Sequence, residues 1–242
     1  MSIFNIGLIG LMAQNGAIQD GIPYYTAVII GALISVCVSY FLGSISSAIF
    51  LSKLLYKEDI RSYGSGNAGL TNMLRTYGKG AAALTLVGDM SKTALAILFT
   101  GLIFGFSYTN GISLSGFCYL SGLCAVLGHV YPIYYGFKGG KGVLVTATMA
   151  LILTPPIFAA LITVFIIIVA ISGYVSLGSI CVASLFPPTV CLYCHFFGGS
   201  IPTLTVISTV FLGIFIVWCH RANINRLLSG NEKKLSIGKK EK

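Results

Sequence analysis

Long stretches without a charged side chain divide this sequence. No Asp, Glu, Lys or Arg occurs at 21–52, 93–137 or 142–219. A helix that crosses a bilayer needs about 20 apolar residues, and lipid accepts such stretches as helices because their backbone groups pair within the segment. Residues 25–51, 80–106, 112–131, 156–173, 176–197 and 203–220 read as helices of this kind, the second interrupted by Asp89 and Lys92. Residues 142–153 supply about 12 positions, roughly 18 Å at 1.5 Å each, which is too short to span. Pro155 and Pro156 stop that segment, so it enters the membrane and the helix at 156–173 returns. The pattern predicts an all-α, polytopic membrane bundle of seven helices, one of them short. Residues 1–23 are weakly apolar, with Asn5, Gln14, Asn15, Gln19 and Asp20 scattered through them. They lack a basic start and a clear cleavage site, so they do not read as a signal peptide and are placed outside the membrane or on its surface.

Composition agrees with that picture. Charged residues are 9% and apolar residues 56%, whereas a soluble domain carries roughly 25% charge. The 242 residues suit one bundle and leave no room for a soluble domain. The net charge of +9 speaks first of topology and anionic lipid. Lys53, Lys57, Arg61, Arg75 and Lys79 lie between the first and second helices, and Lys138 and Lys141 between the third and fourth. Arg221, Arg226, Lys233, Lys234, Lys239, Lys240 and Lys242 follow the last, while the connectors near Thr109 and Gly198 carry no Lys or Arg. The positive-inside rule then places the N-terminus out, the C-terminus in, and every polar motif on the cytoplasmic face. The seven cysteines are odd in number and lack metal-type spacing, so they read as small core residues.

Three polar clusters carry the candidate chemistry. The first, at 59–75, reads DIRSYGSGNAGLTNMLR. Gly64, Gly66 and Gly69 can turn backbone N–H groups toward an anion. Ser65 and Thr71 add hydroxyls, Asn67 and Asn72 amides, and Arg61 and Arg75 forked cations suited to phosphate. Such a stretch is either a phosphate cradle or a solvated, basic cytoplasmic loop. The second, GFKGGKG at 136–142, crowds Gly139, Gly140 and Gly142 around Lys141 just before the short helix. Backbone N–H groups, helix dipole and lysine there form an anion site, or else a basic turn with a snorkelling lysine. The third, HRANINRLLSGNE at 220–232, puts His220, Asn223 and either Asn225 or Arg226 on one helical face, with Leu227 and Leu228 holding it to the bundle. A positive-inside stop signal would explain its basic residues but not its asparagines.

Smaller features add to these. Asp89 and Lys92 lie three apart inside an apolar helix, where charge is expensive, and read equally as a structural ion pair or as catalytic groups. Ser176 reads as a helix N-cap on the active face. His129 closes a helix among aromatics, and His195 reads as a bystander. GxSxG, HExxH, Walker A and a His followed five positions on by Asp are all absent. A transporter would carry ionisable groups at the midplane of two repeated halves. No such repeat is visible, although an organic-phosphate transporter with a basic vestibule stands as the rival reading.

GSISSAIFLSK, DIRSYGSGNAGLTNMLR, GHVYPIYYGFKGGKGV, YVSL and HRANINRLLSGNE together resemble the bacterial acyl-phosphate:glycerol-3-phosphate acyltransferase family, in order, over about 25–232. Departures are small: DMSKT has Thr93 where the family has glycine, and Ser46 and Leu70 replace the commoner proline and alanine. The resemblance implies one integral-membrane acyltransferase domain over 1–242, with 1–23 as an extracytoplasmic extension and 233–242 as a basic tail. It implies transfer of an acyl chain from acyl phosphate to the sn-1 hydroxyl of glycerol 3-phosphate, giving lysophosphatidic acid for phospholipid synthesis. It implies a multi-pass protein of the bacterial inner membrane, active at the cytoplasmic face and monomeric, with no cofactor, metal or nucleic-acid partner. It puts Ser65, Arg75, Lys141, Ser176 and His220 in the catalytic site. Gly64, Gly66, Asn67, Asn72, Gly139, Gly140, Gly142, Asn223, Arg226 and Glu232 are expected to bind substrate. Asp89, Lys92 and His129 are expected in support. The proton acceptor is left open between a substrate phosphate, His220 and Asp89.

Overall fold

A computed structural model describes residues 3–106, 108–109, 112–113, 115–198 and 201–235. The tail lysines Lys239, Lys240 and Lys242 lie outside the described residues. The fold is helical, with one small hairpin of Tyr108–Thr109 against Ile112–Ser113. In order the helices are α1 (Ile3–Gln14), α2 (Ile22–Gly43), α3 (Ser47–Tyr56), α4 (Leu70–Tyr77) and α5 (Lys79–Phe104). After the hairpin come α6 (Gly116–Val130), α7 (Val143–Leu153), α8 (Pro155–Ser172), α9 (Val175–Tyr193), α10 (Thr203–Cys219) and α11 (Arg221–Leu228). Among the described residues, five segments are long and apolar enough to cross a membrane, and a sixth if α10 and α11, bent by 54°, count as one. The 11 residues of α7 are too few, so the short segment has the length its sequence implies.

The bundle is apolar on the outside as well as the inside. Ile29, Leu33, Leu95, Ile166, Ile171 and Ile214 all face outward, as lipid-facing side chains do. The core forms around α6, whose Cys118, Tyr119, Ala125 and Val126 are fully buried. Helices α2, α5, α7 and α10 surround α6, while α8 packs on α7 and α9. The α2–α6 crossing is backbone against backbone: a Cβ on Gly43 would stand 2.2 Å from the Ala125 carbonyl oxygen, and one on Gly128 2.2 Å from that of Tyr40.

Several sequence expectations change. The helix expected at 25–51 is two helices broken at Ser44–Ser46, where the Ser46 hydroxyl caps α3 by accepting from Ile49 N at 3.4 Å. A break in an apolar helix leaves carbonyls unpaired. The Ile45 carbonyl accepts from Lys92 Nζ at 2.7 Å. The helix expected to start at 112 starts at Gly116, because the residues before it form the hairpin. Residues 3–14 are helical with a kink at Gly7 (φ 70) and dock on the far end of α5, where the backbones of Gly7 and Gly105 touch. All seven cysteines are free, but Cys37 faces outward, so it is not a core residue.

Candidate active site

Three short turns meet over one cavity of about 640 Å³. Helices α4, α7 and α9 all begin at its wall, with Leu70 and Thr71, Val143 and Leu144, and Val175 and Ser176 in the lining. The leading N–H groups of a helix lack partners within it, and the dipole makes that end positive. Three such ends around one space make an anion-attracting mouth. Ser65, Arg75, Lys141, Ser176 and His220 all line this cavity, as do Gly64, Asn67, Asn72, Gly142, Asn223, Arg226 and Glu232. Arg75, on the last turn of α4, has no ion pair or hydrogen bond among the described residues. Gly64 sits at φ 61 and Gly142 at φ 84, conformations that glycine adopts at little cost.

Glu232 ties the third turn together. Its Oε1 accepts from Ser176 Oγ at 2.7 Å and from Asn223 Nδ2 at 2.6 Å, and its Oε2 from Arg226 Nε at 2.7 Å. Asn223 Oδ1 in turn accepts from Lys141 Nζ, joining the second turn to the third. Burial pushes the Glu232 carboxyl up, but the hydrogen bonds from Ser176, Asn223 and Arg226 outweigh it and leave it more acidic than an ordinary glutamate. Burial, with Arg226 nearby, holds the Lys141 ammonium below the usual lysine value, against the pull of Glu232. His220 lies at the bend between α10 and α11. Its Nδ1 bonds the Ile216 carbonyl at 2.7 Å. A carbonyl only accepts, so Nδ1 carries the proton and neutral His220 keeps an open lone pair on Nε2.

Several expected ligands have structural work instead. Arg61 is a clamp: Nε and Nη2 grip Asp59 at 2.9 and 2.8 Å, and Nη1 donates to the carbonyls of Tyr135 at 2.8 Å and Lys138 at 3.1 Å. It thus locks the first turn to the second, and the Arg61 hydrogen bond holds Asp59 down to about 2. Asn72 lines the cavity, yet its Oδ1 accepts from Ser65 N at 2.9 Å and its Nδ2 donates to Ile60 and Tyr63 carbonyls at 3.2 and 3.0 Å. It shapes the loop and has no amide proton left over for substrate. Gly66, Gly139 and Gly140 are outside the lining, and their N–H groups bond the carbonyls of Tyr63, Val130 and His129. Gly139 and Gly140 make room for the end of α6: a Cβ on either would lie 2.0 Å from the His129 carbonyl oxygen or 2.1 Å from its Nε2.

Lys92 is outside the lining too. It bonds Ile45 O, lies 2.9 Å from Asp89 Oδ1 and 3.0 Å from His129 Nδ1. Of that trio only Asp89 and His129 reach the cavity. Ser176 is not the cap of α9, which is Tyr174; it is the second residue of the helix, with its hydroxyl on Glu232. Of the alternatives on α11, Arg226 reaches Glu232, while Leu228 is 84% exposed and holds nothing down. The lining also includes Thr146 and Ser179, which no motif spacing marks, and Asn231, which lies in the third cluster without having been singled out there.

Below the mouth the cavity turns apolar, running between α7, α8 and α9 along Ala147, Ala150, Phe158, Leu161, Phe165, Val182 and Phe186. Cations, helix ends and a neutral imidazole at the top, with a greasy slot beneath, suit an anionic reactant that carries a hydrocarbon tail.

Comparison with known proteins gives concordant findings. A family model described as glycerol-3-phosphate acyltransferase matches residues 33–230. A glycerol-3-phosphate acyltransferase of Salinibacter ruber is 41% identical over 206 residues, covering 82% of this chain and 90% of that one. One from Clostridioides difficile is 39% identical over 209 residues, covering 86% and 97%. The crystal structure of PlsY (YgiH), an integral membrane glycerol 3-phosphate acyltransferase in its glycerol 3-phosphate form, is similar at a TM-score of 0.73 and 33% identity, covering 85% of this chain and 96% of that one.

Proposed function

Because the chain belongs to the glycerol-3-phosphate acyltransferase family, we propose that it moves a fatty acyl chain from acyl phosphate to the sn-1 hydroxyl of glycerol 3-phosphate. The products are lysophosphatidic acid and phosphate. The protein is an integral membrane acyltransferase. The reading of its donor, product and orientation rests on one observation: all three turns open into a single cavity with a cationic mouth and an apolar slot.

In this reading the acyl tail lies in the slot between α7, α8 and α9, and its phosphate sits at the mouth near Ser65 and the start of α4. Arg75, Lys141 and the starts of α7 and α9 hold the phosphate of glycerol 3-phosphate. Acyl phosphate is a mixed anhydride with a good leaving group, so alignment and charge stabilisation carry most of the work. The sn-1 oxygen attacks the acyl carbonyl carbon, the carbon–oxygen bond to phosphate breaks, and phosphate leaves with that electron pair. The hydroxyl proton passes to His220 Nε2, which is unprotonated in the tautomer fixed by Ile216, or directly to a substrate phosphate. Asn223, Arg226 and Glu232 act through Lys141 and Ser176 by fixing their positions. The basic residues near these turns support a cytoplasmic mouth in a bacterial inner membrane.

The deciding experiment uses purified protein in vesicles with acyl phosphate and labelled glycerol 3-phosphate. Formation of lysophosphatidic acid is the expected result. Uptake of glycerol 3-phosphate without product would overturn the reading in favour of a transporter.

A further inference from the structure

The apolar slot has a definite end. Phe158 on α8 lines it, with Phe165 nearer the mouth, and α9 contributes Ser176 at the mouth and Phe186 farthest in. From Ser176 to Phe186 is ten residues of helix, or about 15 Å. On α7 the innermost lining residue is Ala150. One turn deeper on α7 and α9 the chain is packed, since Leu153 and Val190 are fully buried and lie outside the lining, as does the buried Ile157 beside Phe158 on α8. Phe186 itself is only 3% exposed and belongs to the same packed cluster, so its ring closes the slot as part of the core.

We propose that Phe186, set against Ala150 and Phe158, is the stop that limits the length of acyl chain this enzyme accepts. This rests on the reading that the slot holds the acyl tail. A tail that ends short of the ring leaves apolar wall uncovered, and one that reaches past it must displace a packed aromatic. Both cost binding that a tail of matching length gains, because interiors are close-packed and resist overfilling. Selection by a hydrophobic pocket is worth about tenfold or more per methylene that cannot be accommodated.

The test measures kcat/KM for a series of acyl phosphates from decanoyl to eicosanoyl, in the full-length enzyme in vesicles. Phe186→Ala is expected to shift the preferred chain upward, raising the ratio of the longest to the optimal wild-type donor by about tenfold. Ala150→Leu, which fills the slot from the opposite wall and keeps the aromatic stop, is expected to shift it downward. The KM for glycerol 3-phosphate should change little in either variant. Unchanged chain-length profiles in an active Phe186→Ala or, if that variant does not fold, an active Ala150→Leu enzyme would overturn the inference while leaving the acyl-transfer reading intact. Failure of the wild-type protein to use any acyl phosphate would overturn both.

Discussion

Arg75 and Arg61 sit in one stretch of sequence and look alike there, yet the fold gives them opposite tasks. Arg61 meets Asp59 and two carbonyls, whereas Arg75 faces the cavity with no partner among the described residues. Arg75→Ala should therefore lower acyl transfer by about a hundredfold or more with the fold intact, as for a lost donor to a developing charge. Arg75→Lys should recover only part of it, since a lysine lacks the fork. Near-normal transfer in Arg75→Ala would remove this arginine from phosphate binding. Glu232 makes a second prediction. It is 8% exposed at its side chain and more acidic than its unfolded value of 4.5, and Asp59 is likewise held at about 2. Both contribute stability that is fully present above about pH 4.5 and is lost as pH falls through their folded values. Thermal unfolding of the detergent-solubilised protein followed from about pH 6 to about pH 2, a range that brackets those carboxylate values, should show this loss. In Glu232→Gln the part due to Glu232 should be missing, and the whole curve should lie lower by about 1–3 kcal/mol. The residue types at the site were legible, but the partners of Arg61 and Asn72 were not. Apart from Asp59, two residues from Arg61, and the Ser65 N–H that Asn72 accepts, those partners are carbonyls that come near only after the second and first turns have folded.

At the scale of elements, the apolar runs marked the helices because lipid leaves the backbone no alternative. What they did not mark were the breaks. The Ser44–Ser46 break needed Lys92, 47 residues away, to satisfy the Ile45 carbonyl, and no local pattern announces such a pairing. The hairpin before α6 did have a local signal, the Asn110–Gly111 pair, which favours a tight turn and was masked by the apolar run around it. The crossing of α2 and α6 gives a sharp test. Gly43→Ala or Gly128→Ala should destabilise by about 1–3 kcal/mol, since each Cβ would enter backbone of the other helix. Gly80→Ala, where a Cβ meets nothing within 4 Å, should be neutral or stabilise by about 0.5–1 kcal/mol through helix propensity. Thermal unfolding of the three variants in one detergent compares them directly. Equal stabilities would mean that the crossing is looser than described.

At the scale of the molecule, basic residues and polar turns share one end of the bundle, and the docked α1 lies at the other. A single cysteine placed at Gln14 in a cysteine-free background should react with an impermeant maleimide in intact cells. One at Ser229 should react only after the membrane is opened. The reverse pattern would invert the orientation. Charge placed the three turns on one face, and Ser176 at the uncharged start of α9 was read on that face too. That α4, α7 and α9 start on the wall of one cavity was not legible, because only packing brings them together.

The half-length α7 carries a kinetic consequence. The glycine- and lysine-rich turn before it opens at the mouth while its other end stops partway down the bundle, beside a slot roofed by the lipid-facing α8. In the proposed reaction a greasy donor would thus enter from the bilayer and a hydrophilic acceptor from the water at the mouth, neither leaving its own phase. Turnover should then obey surface-dilution kinetics: at fixed bulk amounts, adding inert lipid slows the reaction by thinning the donor in two dimensions, while diluting the buffer around the same vesicles changes only the acceptor.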